Sequence, residues 1–260
     1  MPGLSFIGDF TASRVLDIQL EHVLAAQMNY LGIYGESLEN SSINTAPGSS
    51  PTPVSATGAA NAVFGSNYFT ANLVSTASGF YSTNQPQQLD ETIFIAFSAG
   101  AAKWTSGTAF TSPVISIWGD PASGDPSRMS LVLYKTADGV PYIVLRWGIA
   151  SAVPIMTCAI ALDWTTVVGP ILAMASRDGA GKMLLEVRAG GTTYQATGTA
   201  VPPESVPTSA NWRAYVGNNA TFHVSNLRTY AAAVWSAAMS TEQISAELDV
   251  MRVNLSSHLA

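Results

Sequence analysis

Short blocks of apolar or alternating residues recur along most of the chain, at 68–74, 92–98, 113–118, 128–134, 142–147, 155–162, 169–176, 183–187 and 192–197. Each has the length of a strand, and none extends into the three-and-four spacing of an amphipathic helix. The connections are chemically suited to tight reversals. Ala137-Asp138-Gly139, the run from Arg177 to Gly181, and Ala189-Gly190-Gly191 all supply residues that tolerate positive φ. Many short strands with glycine turns predict an all-β sandwich, and the lack of helices between strands excludes a βαβ design. No repeat of 20 to 50 residues stands out.

The C-terminal block adds one clear helix. NWRAYVGNN reads as a short strand ending in a Gly-Asn-Asn turn, and Phe222, Val224, Leu227 and Tyr230 as a half-buried strand with a phase slip near Asn226. Ser240 with Gln243 three residues on is a capping box, and Ile244, Leu248, Met251 and Leu255 form one stripe of a 3.6-residue period. This order resembles the end of the concanavalin A-like (laminin-G-like) β-sandwich domains. The matching positions are Ala214 to Gly217, Val224 to Tyr230, Met239-Ser240 and Glu242 to Ile244. Asp163-Trp164 followed by the 169–176 and 183–187 hairpin is similar to a second family signature, although Arg188-Ala189-Gly190-Gly191 stands where relatives often carry Asp-Gly. The resemblance covers roughly residues 65–255. It implies a concanavalin A-like jelly-roll β-sandwich with one C-terminal helix and an N-terminal arm.

The N-terminal part has a different texture. In residues 1–35, Val15, Ile18, Leu20 and Val23 suit a helical face or, less regularly, a strand. This arm either packs on its own sandwich or docks on a neighbouring subunit. Residues 36–62 turn to Ser, Asn, Thr, Pro, Ala and Gly, which reads as a linker or extended loop, and the sandwich is expected over 63–260.

Composition narrows the function. Charged residues are 11% of the chain and the net charge is −6, whereas roughly 25% charged is usual. With lysine only at 103, 135 and 182, a nucleic-acid partner is excluded for want of a basic footprint. Cys158, the single cysteine, lies in an apolar run and reads as a buried thiol. The first residues lack the basic and apolar regions of a signal peptide, and no run has the ~18 apolar residues of a membrane span.

No catalytic motif emerges. Some glycoside hydrolases of this fold carry Glu-x-Asp-x-x-Glu on a strand; here Glu247-Leu248-Asp249 lies in the helix and is followed by Arg252. Glu186, the main strand carboxylate, is expected to face solvent. His22, His223 and His258 have no metal-ligand spacing, and no serine has a nucleophile-elbow setting. Sugar-binding relatives use an aromatic platform with Asp and Asn, often beside calcium. The resemblance therefore points to Trp104, Trp118, Asp120, Asp125, Asn218 and Asn219 as ligand candidates, and the 119–128 loop offers oxygens for Ca2+. Trp118, Trp147, Trp164, Trp212 and Trp235 each read as core ahead of a sugar platform. The expectation is a non-enzymatic virion structural or decoration protein, of a tailed bacteriophage, with a homo-oligomer assembled through the arm. Deletion of residues 1–60 should then leave a folded sandwich. The alternative is a carbohydrate-binding host-recognition module of a phage fibre; a polysaccharide hydrolase or lyase stands third.

Overall fold

Two strands, Glu91–Ser98 and Ile171–Arg177, explain the layering of the molecule because they are buried on both faces. In the first, Ile93, Ile95 and Phe97 enter one apolar core while Phe94 and Ala96 enter another; in the second, Ile171, Ala173 and Ala175 oppose Leu172 and Met174 in the same way. Period-2 alternation sends successive side chains to opposite faces, so such a strand needs a layer on each side. One layer is a second sheet and the other is a helix.

The computed structural model describes residues 21–47, 52–53, 55–57, 62–71, 78–81, 89–99, 110–118, 127–136, 138–147, 156–164, 166–199, 213–218 and 227–259. In chain order the strands are β1 (Met28–Ile33), β2 (Ile43–Asn44), β3 (Thr52–Pro53), β4 (Ser55–Thr57), β5 (Ala62–Phe64), β6 (Phe69–Ala71), β7 (Ser78–Tyr81), β8 (Glu91–Ser98), β9 (Phe110–Trp118), β10 (Ser127–Lys135), β11 (Pro141–Trp147), β12 (Met156–Ala161), β13 (Ile171–Arg177), β14 (Lys182–Ala189), β15 (Thr192–Thr199), β16 (Arg213–Asn218) and β17 (Arg228–Trp235). Helices are α1 (Leu38–Ser41), α2 (Thr241–Asn254) and α3 (Ser256–Leu259). The larger sheet runs β15-β14-β13-β8-β17-β6-β5, with β1 also paired to β17; the smaller runs β12-β11-β10-β9-β16-β7-β4; β2 and β3 pair apart. All the pairings are antiparallel. This is an all-β jelly-roll sandwich with one substantial helix near the C-terminus, as the strand pattern predicts.

Helix α2 covers the outer face of the larger sheet. Its capping box is formed: Ser240 Oγ accepts from Gln243 N at 3.3 Å, and Ser240 N donates to Gln243 Oε1 at 2.9 Å. Ile244, Leu248, Met251 and Leu255 are buried against Phe94, Leu172, Met174 and Trp235, each contributing roughly 1.5–3 kcal/mol relative to exposure. The entry to the helix is pinned to the sheet, because Met239 N donates to Ser176 Oγ at 2.8 Å and the Thr92 hydroxyl donates to the Ala237 carbonyl at 2.8 Å. The slip expected near Asn226 lies outside the described residues; the strand that follows has its own bulge between Thr229 and Ala231, which turns both Tyr230 and Ala231 toward the helix side.

Where the N-terminal arm is described, it belongs to its own sandwich. Strand β1 pairs with the last strand from Met28↔Trp235 to Ile33↔Ala231. Its free edge is closed by Asn44, whose Oδ1 accepts from Leu31 N and whose Nδ2 donates to Asn29 O, both at 3.0 Å. Tyr30 and Tyr34 reach the inter-sheet core and share a 2.7 Å hydroxyl hydrogen bond. Gly32 between them is required by space, since a Cβ there would strike both hydroxyls. The stretch expected as a linker holds α1, β2, β3 and β4, and β4 joins the smaller sheet through β7. A chain lacking residues 1–60 would therefore lose strands from both sheets, contrary to the expected intact sandwich.

Candidate functional site

The residues singled out by sequence divide into two groups. Trp104, Asp120, Asp125 and Asn219 lie outside the described residues, as do the side chains of Trp118 and Asn218. Register still places the last two: Trp118 pairs with Arg213 at one end of β16, and Asn218 pairs with Ser78 at the other. Trp147, Trp164 and Trp235 are buried in the cores, and Cys158 is buried too, its thiol pushed up to about 11 by desolvation. The side chains of Trp212 and His223 are not described. Among the described residues no three of His, Cys, Asp and Glu gather into a cation-binding group.

Glu186 is a correction. It sits on the outer face of β14, but that face is roofed by α2, and the residue is 1% exposed. Sequence periodicity gives the face and not its cover. The carboxylate accepts from Ser245 Oγ at 2.6 Å, Gln195 Nε2 at 2.8 Å and Arg188 Nε at 3.0 Å. Arg188 continues to Asp249 Oδ1 at 2.6 Å and to the Ser245 carbonyl at 2.8 Å. A second buried carboxylate, Glu247, accepts from Val23 N at 2.6 Å and lies 2.7 Å from His22 Nδ1, tying the start of the described chain to the helix. These acids hold elements together.

The outer face of the smaller sheet is organised differently. Its inner face sends Ile115, Ile117, Met129, Leu131, Leu133, Ile143 and Leu145 into the core, so alternation puts Ser116, Ser130, Val132, Tyr134, Tyr142, Val144, Arg146 and Tyr215 outside. Register aligns Tyr81, Tyr215, Ser116, Ser130, Arg146 and Thr157 in one row across six strands. Two rows along, Tyr134 and Tyr142 are cross-strand neighbours with ring centroids 6.2 Å apart and planes tilted by 41°. The row between them is the pair Val132↔Val144, both buried.

Arg146 bridges these rows. Its guanidinium carbon is 5.7 Å from the Tyr134 ring centroid, so the side chain lies along the sheet above the valine row, with its stem on apolar surface. Desolvation lowers the guanidinium's pKa from its usual value, with Tyr134 acting in the opposite direction. Its Nε is buried and donates to no acceptor among the described residues. Two half-buried phenol rings beside a cation make an amphipathic platform: flat apolar faces with polar atoms at their rims. Trp118, seven residues along β9 from the Thr111 that pairs with Tyr134, lies roughly 23 Å away. The signal that would have found Tyr134, Tyr142 and Arg146 is their even spacing, which assigns them to the faces opposite Leu133, Ile143 and Leu145.

No family model and no curated protein sequence matches the chain. Solved structures do. The exoplasmic/lumenal domain of VIP36 in its Ca2+/Man3GlcNAc-bound form aligns with a TM-score of 0.51 and 12% identity, over 89% of this chain and 97% of that domain. Its Ca2+/Man-bound form gives 0.51 and 12%, over 82% and 93%. The Trypanosoma rangeli sialidase aligns with 0.53 and 13% identity over 90% of this chain, which spans only 34% of the sialidase. At these identities the likeness is one of fold, and it agrees with the observed pairing of two antiparallel sheets with a C-terminal helix: the chain has a concanavalin A-like jelly-roll β-sandwich fold.

Proposed function

We propose that this protein is a non-catalytic carbohydrate-binding module that takes its glycan on the outer face of the smaller sheet. The observation that carries the reading is the Tyr134–Tyr142–Arg146 platform. Pyranose rings offer one apolar face of C–H groups and a rim of hydroxyls, and side-by-side phenols with a neighbouring donor match both. VIP36, which shares the fold, is described in Ca2+- and mannose-bound forms. Binding is favoured over catalysis because Glu186, the main strand carboxylate, is held by three donors beneath α2, where no polysaccharide reaches.

The virion is the setting that the low charge of the chain suits. The segment left for docking on a neighbouring subunit is residues 1–21, since from His22 onward the arm is engaged by Glu247 and β17. The test is a glycan array probed with the full-length protein, with calcium and with chelator. Specific binding that survives chelation and is lost in Tyr134→Ala or Tyr142→Ala, at unchanged melting temperature, supports the platform. Chelator-sensitive binding untouched by these variants moves the site to the 119–128 loop. A blank array in both lanes overturns the reading.

A further inference from the structure

The two sheets differ sharply in charge. The seven strands of the smaller sheet contain Arg128, Lys135, Arg146 and Arg213 and not one Asp or Glu, in a chain with 17 acidic residues and a net charge of −6. The larger sheet, by contrast, carries two carboxylates, Glu91 and Glu186, beside its cations Arg177, Lys182, Arg188 and Arg228. Arg188 is paired with Glu186, and Arg177 lies in register with Glu91, all within strands of that sheet. The carboxylate in the turn between β10 and β11, Asp138, is exposed to solvent.

Arg146 is where this imbalance is concentrated. Its Nε–H is buried with no acceptor among the described residues, while the residue as a whole is half-buried, so the guanidinium is partly desolvated and no described carboxylate on its own sheet offsets its charge. The two Nη groups each direct one N–H along the outer edge of the planar guanidinium. A carboxylate, with two oxygens in a plane, fits that edge with two parallel hydrogen bonds, where a hydroxyl supplies only one. We propose that the glycan taken by this platform is acidic, and that Arg146 binds a sugar carboxylate while Tyr134 and Tyr142 support the ring. The proposal rests on the carbohydrate-binding reading and adds the ligand's charge and the residue that selects it.

The experiment compares carboxylate-bearing oligosaccharides, uronic and sialic, with the same oligosaccharides after methyl esterification, on one array probed by the full-length wild-type protein. The pairs keep sugar, linkage and length constant and differ only in charge. Binding to the acids that falls about tenfold or more on esterification, the effect of losing a charge-assisted hydrogen bond, supports the proposal. So does a similar loss in Arg146→Gln, with Arg146→Lys, which keeps the charge without the fork, falling between. Equal binding to both members of each pair overturns the acidic specificity while the carbohydrate reading stands. An acid preference that Arg146→Gln and Arg146→Lys leave intact removes Arg146 from the role. No binding to any glycan, acidic or neutral, overturns both readings together. Because the wild-type comparison needs no variant, a variant that fails to fold does not decide the outcome.

Discussion

Replacing Glu186 by alanine tests whether the polar lock under α2 stabilises the sandwich. The carboxylate receives three donors at 2.6–3.0 Å, from Ser245, Gln195 and Arg188. Alanine removes all three acceptor interactions and leaves the Ser245 hydroxyl without its carboxylate partner. Gln195 is exposed and rehydrates, and Arg188 keeps Asp249 and the Ser245 carbonyl, so the three losses do not add in full. A hydrogen bond to a charged group is worth roughly 1.5–3 kcal/mol, and breaking one side of a buried ion pair costs about 3–5 kcal/mol. With the partial rescue, about 3 kcal/mol is expected, which lowers Tm by about 6–12 °C in a domain of this size. Chemical denaturation should give the same loss with an unchanged m-value, because the surface exposed on unfolding is the same. Glu186→Gln, which retains an acceptor of the same shape, should lose less. A Glu186→Ala protein melting within about 1 °C of wild type would refute the reasoning. Apolar contacts of Ile244, Leu248 and Met251 would then hold α2 by themselves.

Two further outcomes follow from the described contacts. Removing residues 1–60 takes away β1 and β4 and should give insoluble or unfolded protein; a cooperative melt of this truncation would show that those strands are dispensable. In alkali, Tyr30 and Tyr34 are both raised above the ordinary tyrosine value of 10.0, chiefly by burial, and Cys158 is raised from 9.0 to about 11 by the same cause. A raised folded-state pKa gives stability that is complete below the unfolded value and is lost as pH rises toward the folded one. Stability should therefore be level up to about pH 9 and fall above it, with these two phenols ionising only as the chain unfolds; early ionisation of all nine tyrosines followed at 295 nm would contradict their burial.

The strands visible in sequence are those whose own side chains carry the pattern. β8, β10, β11, β13 and β14 are rich in branched and aromatic residues and fall where apolar blocks predict them. The ones missed are short and draw their order from distant partners. β1 has a glycine in its interior and pairs with a strand some two hundred residues later; β4 reads Ser-Ala-Thr and gains its place from β7. Alternation puts Glu186 on the correct face but says nothing of its cover, for a related reason. Alternation is local, but the helix that roofs β14 begins at Thr241. The platform stood in plain alternation, yet Tyr134 and Tyr142 gain meaning only when β10 and β11 pair in register.

The charge asymmetry shows most clearly why site and fold separate in such a sequence. The smaller sheet is assembled from segments spread between Ser55 and Asn218, and acidic residues lie between several of them, in the turns and in β8, β13 and β14's neighbourhood. Read linearly, the chain is uniformly acidic and poor in charge. Folding sorts those segments: the two strands with carboxylates, β8 and β14, both go to the sheet that α2 covers, where Glu186 finds its donors, and neither goes to the sheet whose outer face α2 does not touch. An unmatched cation on the covered face would be a loss of stability with no return. On the other face Arg146, half-buried and with its Nε unmatched among the described residues, lies beside the Tyr134–Tyr142 pair. The helix thus decides which sheet is structural, and by its absence from the other leaves the surface on which recognition is proposed.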